Sequence, residues 1–544
     1  MVPNSHVTVA EIGAISTLNS DVQSSAVNKI SSDISQLTSQ DFYVVDKNGD
    51  LVANKPFGSV QVTNKSPFTV TYTFGKSAVW SDGSTLDSTD LALAVYAAKD
   101  SKFNSIHYGS SLSQAVIVGT PNPGDNYLTL QFPKPIADWK TVLDVRVPAH
   151  VVGKTAGLGG NVAAVRAGVL SAIVKTQKSV LKGLAGAYSS AFTPTADATN
   201  FLSDGAYSIT KVSPDQVSLK AVRDFGGTHK GIADNVNVKI FADNATAFKQ
   251  VNAGSVDVFA PTVTLNEPQA DLVSQSQSLS TKKVTVLAPS SSMVEQFVIN
   301  LSAGALADSS YRNPKTALVL RQAVLNIFPK ARAIDFASMT QSVSKSDSFV
   351  YSAGSKNYSA VVSQNGSSNF VLQDSEKSSE LVAGLKLKSV PVLRVLFDSN
   401  DPAAVAEWTL MSDHASASGF KLLNISRPNP SARLRAGTYE IFLGAQPLLG
   451  VGKGSIQQLT SGPAQMPESK YLELTKAVVD SSNKGLSGAL QDLDKKLFEL
   501  GFGLPMYQLP TLLVYNNRVQ GLSADPFGNN STWGYWTWHV SADK

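Results

Sequence analysis

Six histidines, His6, His107, His150, His229, His414 and His539, are the only imidazoles in the 544 residues, and there is no cysteine. Side-chain metal sites usually announce themselves as paired His or Cys ligands at short helical or turn spacing, and no two of these histidines stand that close. Thiolate zinc, cysteine nucleophiles and disulfides are excluded outright. The sequence therefore predicts no metal, no cofactor and no catalytic residue. His150, in VRVPAHVV, reads as a hydrogen-bonding structural residue, and His414, with Asp413 and Glu407, as part of a solvated helix face. The run GVGKGS places Gly454 after Lys453, where a phosphate loop needs Ser or Thr opening a helix, so it reads as a surface turn. Neither a Gly-x-Ser-x-Gly elbow nor a dinucleotide-binding fingerprint occurs, and paired carboxylates cannot be recognised without a fold. The aromatic tail, Trp533, Tyr535, Trp536 and Trp538, offers π faces that could stack on a sugar or a peptide side chain, with Trp536 the candidate. The alternation favours a closing strand packed in the core, Trp533 and Tyr535 on one face and Trp536 and Trp538 on the other.

The elements that must position such residues alternate between strand and helix. VTVAEIGAIST predicts a strand followed by a Ser-rich helix over residues 28–40, and FYVVDKNGDLVANK predicts a hairpin about Asn48-Gly49. FTVTYTFG alternates as a strand, and Asp87-Ser88-Thr89-Asp90 caps a helix. Tyr127 to Phe132 reads as extended, residues 151–188 as helical and residues 189–200 as a linker. Two strands then turn about Ser213-Pro214-Asp215-Gln216, and VNVKIFADNATAFKQVNAGSVDVFAP reads strand, capped helix, glycine stop, strand. MVEQFVINLS predicts a strand and PKTALVLRQAVLNIF an amphipathic helix. Residues 340–379, polar and Ser-rich, read as loops; residues 389–426 read as a βαβ unit; a helix ending at Gly501 leads into one long strand.

Length calls for two or three packed units, since one core stops growing well before this size. Charged residues make up only 16% of the chain and the formal net charge is +4, without basic runs, so nucleic acid is not an expected partner. No apolar run reaches the roughly 18 residues that span a bilayer. The opening MVPNSHVTVAEIGAISTLNS has neither a basic n-region nor an apolar h-region, so the chain is either cytosolic or begins after a removed leader.

Four segments in order resemble one family. VTYTFGKSAVWSDGSTLDSTDLALAV is similar to the Trp-Ser-Asp-Gly turn and capped helix of the extracytoplasmic solute-binding proteins of family 5, the peptide and nickel class. FLSDGAYSITKVSPDQVSLKAVRDFGG and the Gly254-Ser255-Val256-Asp257 segment resemble its hairpin and its Gly-Glu-Ile-Asp helix end. FVINLSAGALADSSYRNPKTALVLRQAVLNIFPKARAI resembles its Asn-Thr strand and Arg-Gln-Ala helix, and LPMYQLPTLLVYNNRVQGL its closing strand, with wording closest to actinobacterial members. Trp80, Asp82, Gly83, Arg321 and Asp257 read as holders of turns and cores within these landmarks.

The resemblance implies an α/β fold of the class II periplasmic-binding-protein type: two lobes, an interlobe cleft and an extra small domain. Residues 1–40, 195–268 and 500–544 would form lobe I, residues 41–194 the small domain and residues 269–499 lobe III. By the same resemblance Ser16 and Thr17, in the loop Ala14 to Thr17, and Gly444, Ala445 and Gln446 would touch ligand. No carboxylate stands between Glu440 and Glu468, where peptide-binding members hold a peptide ammonium with Asp. The implied function is capture of an oligopeptide-like or other small solute for the membrane subunits of an ABC permease. A monomer at the cell surface, lipid-anchored in its precursor and not an enzyme, would do this. The alternatives are a non-transport member regulating envelope biosynthesis through protein contacts, which a sealed cleft would favour, and a hydrolase, which needs two carboxyls roughly 5 to 10 Å apart in a cleft.

Overall fold

The run VTVAEI becomes the middle of a sheet because a parallel strand covered on both faces can be apolar throughout. In the computed structural model this strand, β1 (Val2–Ile12), lies parallel to β10 (Ala233–Phe241) on one side and β11 (Val258–Phe259) on the other. The structure describes residues 1–22, 29–46, 51–108, 110–261, 269–278, 284–288, 290–340, 343–450, 456–480, 486–523, 525 and 530–540.

After β1 comes α1 (Lys29–Thr38), which buries Ile30, Ile34 and Leu37 against the sheet. The short pair β2 (Tyr43–Val45) and β3 (Leu51–Ala53) follows; its turn at 47–50 lies outside the described residues. A small unit is built next, on β4 (Gly58–Lys65), β5 (Phe68–Phe74), β6 (Val116–Ile117) and β7 (Tyr127–Phe132), ordered β4-β5-β7-β6. Helix α2 (Ser88–Lys99) covers it, opened by the capping box the sequence predicts: Asp87 accepts from the Thr89 amide and Asp90 from the Asp87 amide. The stretch 151–188 is three helices, α3 (Ala149–Thr155), α4 (Val162–Val174) and α5 (Lys178–Ser190). Gly153 lets α3 and α4 cross closely, since a Cβ there would sit 2.6 Å from a Val165 methyl.

Strands β8 (Tyr207–Ser213) and β9 (Gln216–Ala221) return to the first sheet, followed by β10, α6 (Asn244–Asn252), β11, α7 (Gln269–Ser278) and β12 (Val284–Leu287). The chain then enters a second sheet with β13 (Ser290–Ile299). Helices α8 (Pro314–Ile327) and α9 (Lys330–Thr340), β14 (Ser344–Lys345), α10 (Tyr358–Val362) and α11 (Ser375–Gly384) follow. The predicted βαβ unit is β15 (Val392–Leu396), α12 (Pro402–Ala415) and β16 (Lys421–Asn424), with the two strands parallel. Helix α13 (Ser431–Ala436), β17 (Ile441–Pro447), α14 (Gln458–Ser461), α15 (Glu468–Asp480), α16 (Leu486–Glu499), β18 (Gly503–Pro510) and β19 (Leu513–Asn516) complete the order. One sheet has seven strands, β12-β19-β11-β1-β10-β9-β8, the other six, β14-β18-β13-β17-β15-β16, and each has its own apolar core. This is the α/β fold the sequence implies.

Four readings change. Residues 340–379 are not all loop: α11 is capped by Asp374, which accepts from the Lys377 amide, and packs on α8 with Leu381 and Val382 half-buried, so it carries almost no apolar stripe to read. The helix before Gly501 is two, α15 and α16. The long closing strand is also two, in different sheets: β18 pairs with β13 up to Pro510, and β19 pairs with β11 and β12. Residues 284–287 and 503–510 thus pair across the divisions drawn at 268 and 500. The aromatic tail forms a 3₁₀ turn at Tyr535–Thr537, not a strand, with Trp533, Tyr535 and Trp538 buried. The landmark residues are structural. Arg321, 1% exposed, donates to the carbonyls of Leu306 and Leu500, and Asp257 accepts from the Thr8 amide and from Arg518. The GVGKGS turn lies largely outside the described residues.

Among the described residues, Glu295 and Glu407 are buried at the six-stranded sheet with no cation in hydrogen-bond contact. Glu295 on β13 and Glu407 on α12 are each 2% exposed, so Glu407 is not on a solvated face; it accepts from the Tyr507 hydroxyl at 3.1 Å. Burial, then the Glu407 charge, pushes the Glu295 carboxyl well above the usual range. A raised acid contributes most below its unfolded value and loses that contribution as pH rises through its folded value. Glu295→Gln should therefore raise the thermal midpoint at pH 8, by the equivalent of about 1–3 kcal/mol, and show little gain at pH 4. Melts of both proteins at the two pH values check this; a lower midpoint for the variant at pH 8 contradicts it.

Candidate functional site

Helix α1 has two faces of different chemistry. Ile30, Ile34 and Leu37 enter the core, while Ser32, Ser35, Gln36 and Ser39, at helical spacing, face a cavity of about 670 Å³. The small unit supplies another wall with Asp41, His107, Asp138, Asp144 and Arg146, Phe225 and Tyr535 close one side, and Gln457 and Ser461 of the six-stranded unit reach in from the other. The cavity is thus a cleft where all three units meet. Gln457 ties two of them together, its Oε1 accepting from Ser111 Oγ at 3.2 Å and from the Tyr471 hydroxyl at 3.3 Å.

The charges of the wall form one network. Arg146 Nη2 donates to Asp41 Oδ1 at 2.9 Å and to Asp144 Oδ2 at 2.9 Å, joining the segment after α1 to the segment after β7. Asp144 Oδ1 lies 3.3 Å from His107 Nε2, and Asp21 Oδ1 lies 3.7 Å from the same atom. Burial opposes charge on His107, but Asp144 and Asp21 outweigh it and push the imidazole up to about 10. Asp138 is pushed up to about 6, chiefly by burial, and its Oδ1 has no hydrogen-bond partner among the described residues. At the rim His229 stacks on Trp536, centroids 3.7 Å apart and 6° from parallel, and burial lowers its imidazole to about 4.

None of Ser16, Thr17, Gly444, Ala445, Gln446 and Trp536 is on the lining of this cleft. Ser16 is exposed in the loop after β1. Thr17 is buried, its hydroxyl oxygen accepting from the Asn19 amide, and the same loop continues to Ser20 and Asp21, which do line the cleft. Gly444, Ala445 and Gln446 are interior to β17, opposite Gln296, Glu295 and Val294. Trp536 meets the cleft through His229 and its neighbour Tyr535. His150 does make a structural contact, Nε2 lying 3.0 Å from Asp82 Oδ2. Of the lining, only the hydroxyl and amide face of α1 was visible in the sequence; Asp21, Asp41, His107, Asp138, Asp144 and Arg146 are spread over more than a hundred residues with no motif among them.

Residues 59–447 match the family model described as bacterial extracellular solute-binding proteins, family 5 middle. Among solved structures, the periplasmic EDTA-binding protein EppA is 19% identical, with a TM-score of 0.67 over 99% of this chain and 98% of that one. Lactococcal OppA, complexed with an endogenous peptide in the closed conformation, is 14% identical, with a TM-score of 0.58 over 98% and 100%. At such identities these likenesses show the fold. The oligopeptide-binding protein OppA of Mycobacterium tuberculosis (strain ATCC 25618 / H37Rv) is 32% identical over 84 residues, which span 15% of this chain and only 14% of that protein.

Removing the guanidinium that joins Asp41 to Asp144 leaves two carboxylates of the wall without their shared cation. Arg146→Met should lower the thermal midpoint by the equivalent of about 3–5 kcal/mol, and Arg146→Lys should restore little of it, because one ammonium cannot present the planar fork that spans both acids. Thermal melts of the three proteins test this; a wild-type midpoint for Arg146→Met contradicts it.

Proposed function

Because the chain belongs to the bacterial extracellular solute-binding proteins of family 5, we propose that it captures a small polar solute, oligopeptide-like or similar, in the three-walled cleft and delivers it to the membrane subunits of an ABC permease. Members of this family are binding proteins, not enzymes, and act outside the cytoplasm; no described helix here is long and apolar enough to cross a membrane. The observation that carries the reading is the cleft itself. At about 670 Å³ it lies in the range of small-molecule sites, roughly 300–1,000 Å³, and hydroxyl, amide and carboxylate groups line it. The two large sheets are joined by the chain at two places, β12 to β13 and β18 to β19, a small enough connection for closure of one lobe on the other around the solute. Solute binding would then shift an open and closed population and present a docking face. We take the working form as a monomer, tethered to the cell surface by a lipid anchor in its precursor.

A solute with a cationic or hydrogen-bonding end suits the wall. The carboxylate that peptide-binding members carry after β17 is missing, but Asp21, Asp41, Asp138 and Asp144 stand on the opposite side of the cleft. An open cavity weighs against the regulatory alternative, for which a sealed interlobe space was the expectation.

Calorimetry and thermal shifts of the purified chain against di- to tetrapeptides, sugars and lipid-linked glycans test the proposal. One class should bind saturably at one site and raise the midpoint; ligand at about a hundred times its Kd adds roughly 2.7 kcal/mol of stability. Ser32→Trp, which fills the cavity from an exposed position on α1, should abolish the response while leaving the unliganded melt near wild type. Silence from every class, or a response that Ser32→Trp leaves intact, would sink the reading.

A further inference from the structure

Asp21, in the loop after β1, His107, between α2 and β6, and Asp144, beyond β7, come from distant parts of the chain and meet on the cleft wall. One donor atom from each lies within 4.8 Å of the other two. His107 Nε2 is buried and sits 3.3 Å from Asp144 Oδ1 and 3.7 Å from Asp21 Oδ1, in hydrogen-bond geometry with neither. Charge-assisted N–H to carboxylate bonds are shorter, about 2.7–2.9 Å, so an N–H shared between the two carboxylates would make a long contact with each. Ligand atoms held about 2.1 Å from a tetrahedral ion, by contrast, stand roughly 3.4 Å apart. The two separations from His107 Nε2 lie close to that edge length, and the two carboxylate oxygens lie within 4.8 Å of each other.

The other oxygen of each carboxylate is already engaged. The Tyr188 hydroxyl donates to Asp21 Oδ2 at 3.3 Å, and Arg146 Nη2 donates to Asp144 Oδ2 at 2.9 Å, so both Oδ1 atoms are held toward the imidazole. Outer partners of this kind orient the ligands of metal sites. The carboxylate side chains are 4% and 6% exposed, unlike a chance cluster of surface acids. Arg146 opposes a second positive charge, but Asp41 pairs with it directly and Asp138 stands on the same wall.

The geometry points to a site for one divalent transition cation, Zn²⁺ or a similar borderline ion, held by Asp21, His107 and Asp144. One imidazole, which must release its Nε2 proton as the ion binds, and two carboxylates suit such ions and leave coordination positions open. All three residues line the cavity, so a carboxylate or amine of a captured solute could complete the shell; only that last role rests on the solute-capture reading.

The full chain, stripped with a chelator and free of solute, is titrated with Zn²⁺ by calorimetry and with Co²⁺ by visible absorption. One saturating equivalent is expected, lost in His107→Asn and weakened about 10-fold in Tyr188→Phe, which removes only an orienting hydroxyl. Absence of one-equivalent binding, or wild-type affinity in folded His107→Asn, overturns the site. Should that variant not fold, anomalous diffraction from wild-type crystals grown with zinc decides: an ion about 2.0–2.2 Å from the three donors supports the site, and zinc bound elsewhere overturns it. Repeating the solute panel in chelator separates the two readings, since solute binding without metal leaves capture standing and metal binding without solute leaves the site standing.

Discussion

A carboxylate taken out of water must find a cation, a hydrogen-bond donor or a proton, and the wall of this cleft holds Asp21, Asp41, Asp138 and Asp144. The arrangement of the site follows from how each is satisfied. Arg146 spans Asp41 and Asp144, and His107 sits between Asp144 and Asp21. Asp138, with no cation in hydrogen-bond contact, is pushed toward its protonated form by burial. Because these acids come from the first loop, the end of α1 and the small unit, satisfying them also fixes how those segments pack. The same electrostatics that shapes the cavity holds two of its walls together.

Elsewhere the chain resolves the same problem differently. Glu295 and Glu407 lie at the six-stranded sheet with a tyrosine hydroxyl and no cation among the described residues, so the proton is the compensation and stability falls as it leaves. Arg321 meets the converse difficulty, a buried guanidinium, and is satisfied by main-chain carbonyls at the end of α16 and the turn before α8 together with the Asp308 carboxylate at 2.9 Å. These are scaffold solutions, in fully packed interiors. The cleft differs in combining buried charge with open volume, which is what a polar ligand requires of a site.

The position of the cleft is set by topology. The chain builds the first sheet, inserts the small unit between β1 and β8, returns, leaves for the second sheet after β12 and comes back only with β19. Strands β12 and β19 pair with each other, so both passages between the sheets start from neighbouring strands. Under the proposed capture of a solute, closure about so narrow a junction would move Gln457 and Ser461 relative to α1 and the small unit and leave each core intact.

Much of the scaffold could be read from residue order because its causes are local. The Asp87 capping box, the alternation of FTVTYTF, the parallel β15-α12-β16 unit and the landmarks that place the chain in its family all depend on neighbours within a few turns or strands. Where local cause was weak, in the nearly stripeless α11 or in one apolar run divided between two sheets at Pro510, tertiary packing decided. The cleft was the least legible part. The polar face of α1 was written in its spacing, but Asp21, His107, Asp144 and Arg146 carry no shared period or motif, and the residues inferred by resemblance fell beside the lining. Sequence alone determined the locally caused elements and what family they compose; only the tertiary structure decided which charges share a wall, because electrostatic contact depends on distance in space and leaves no trace in distance along the chain.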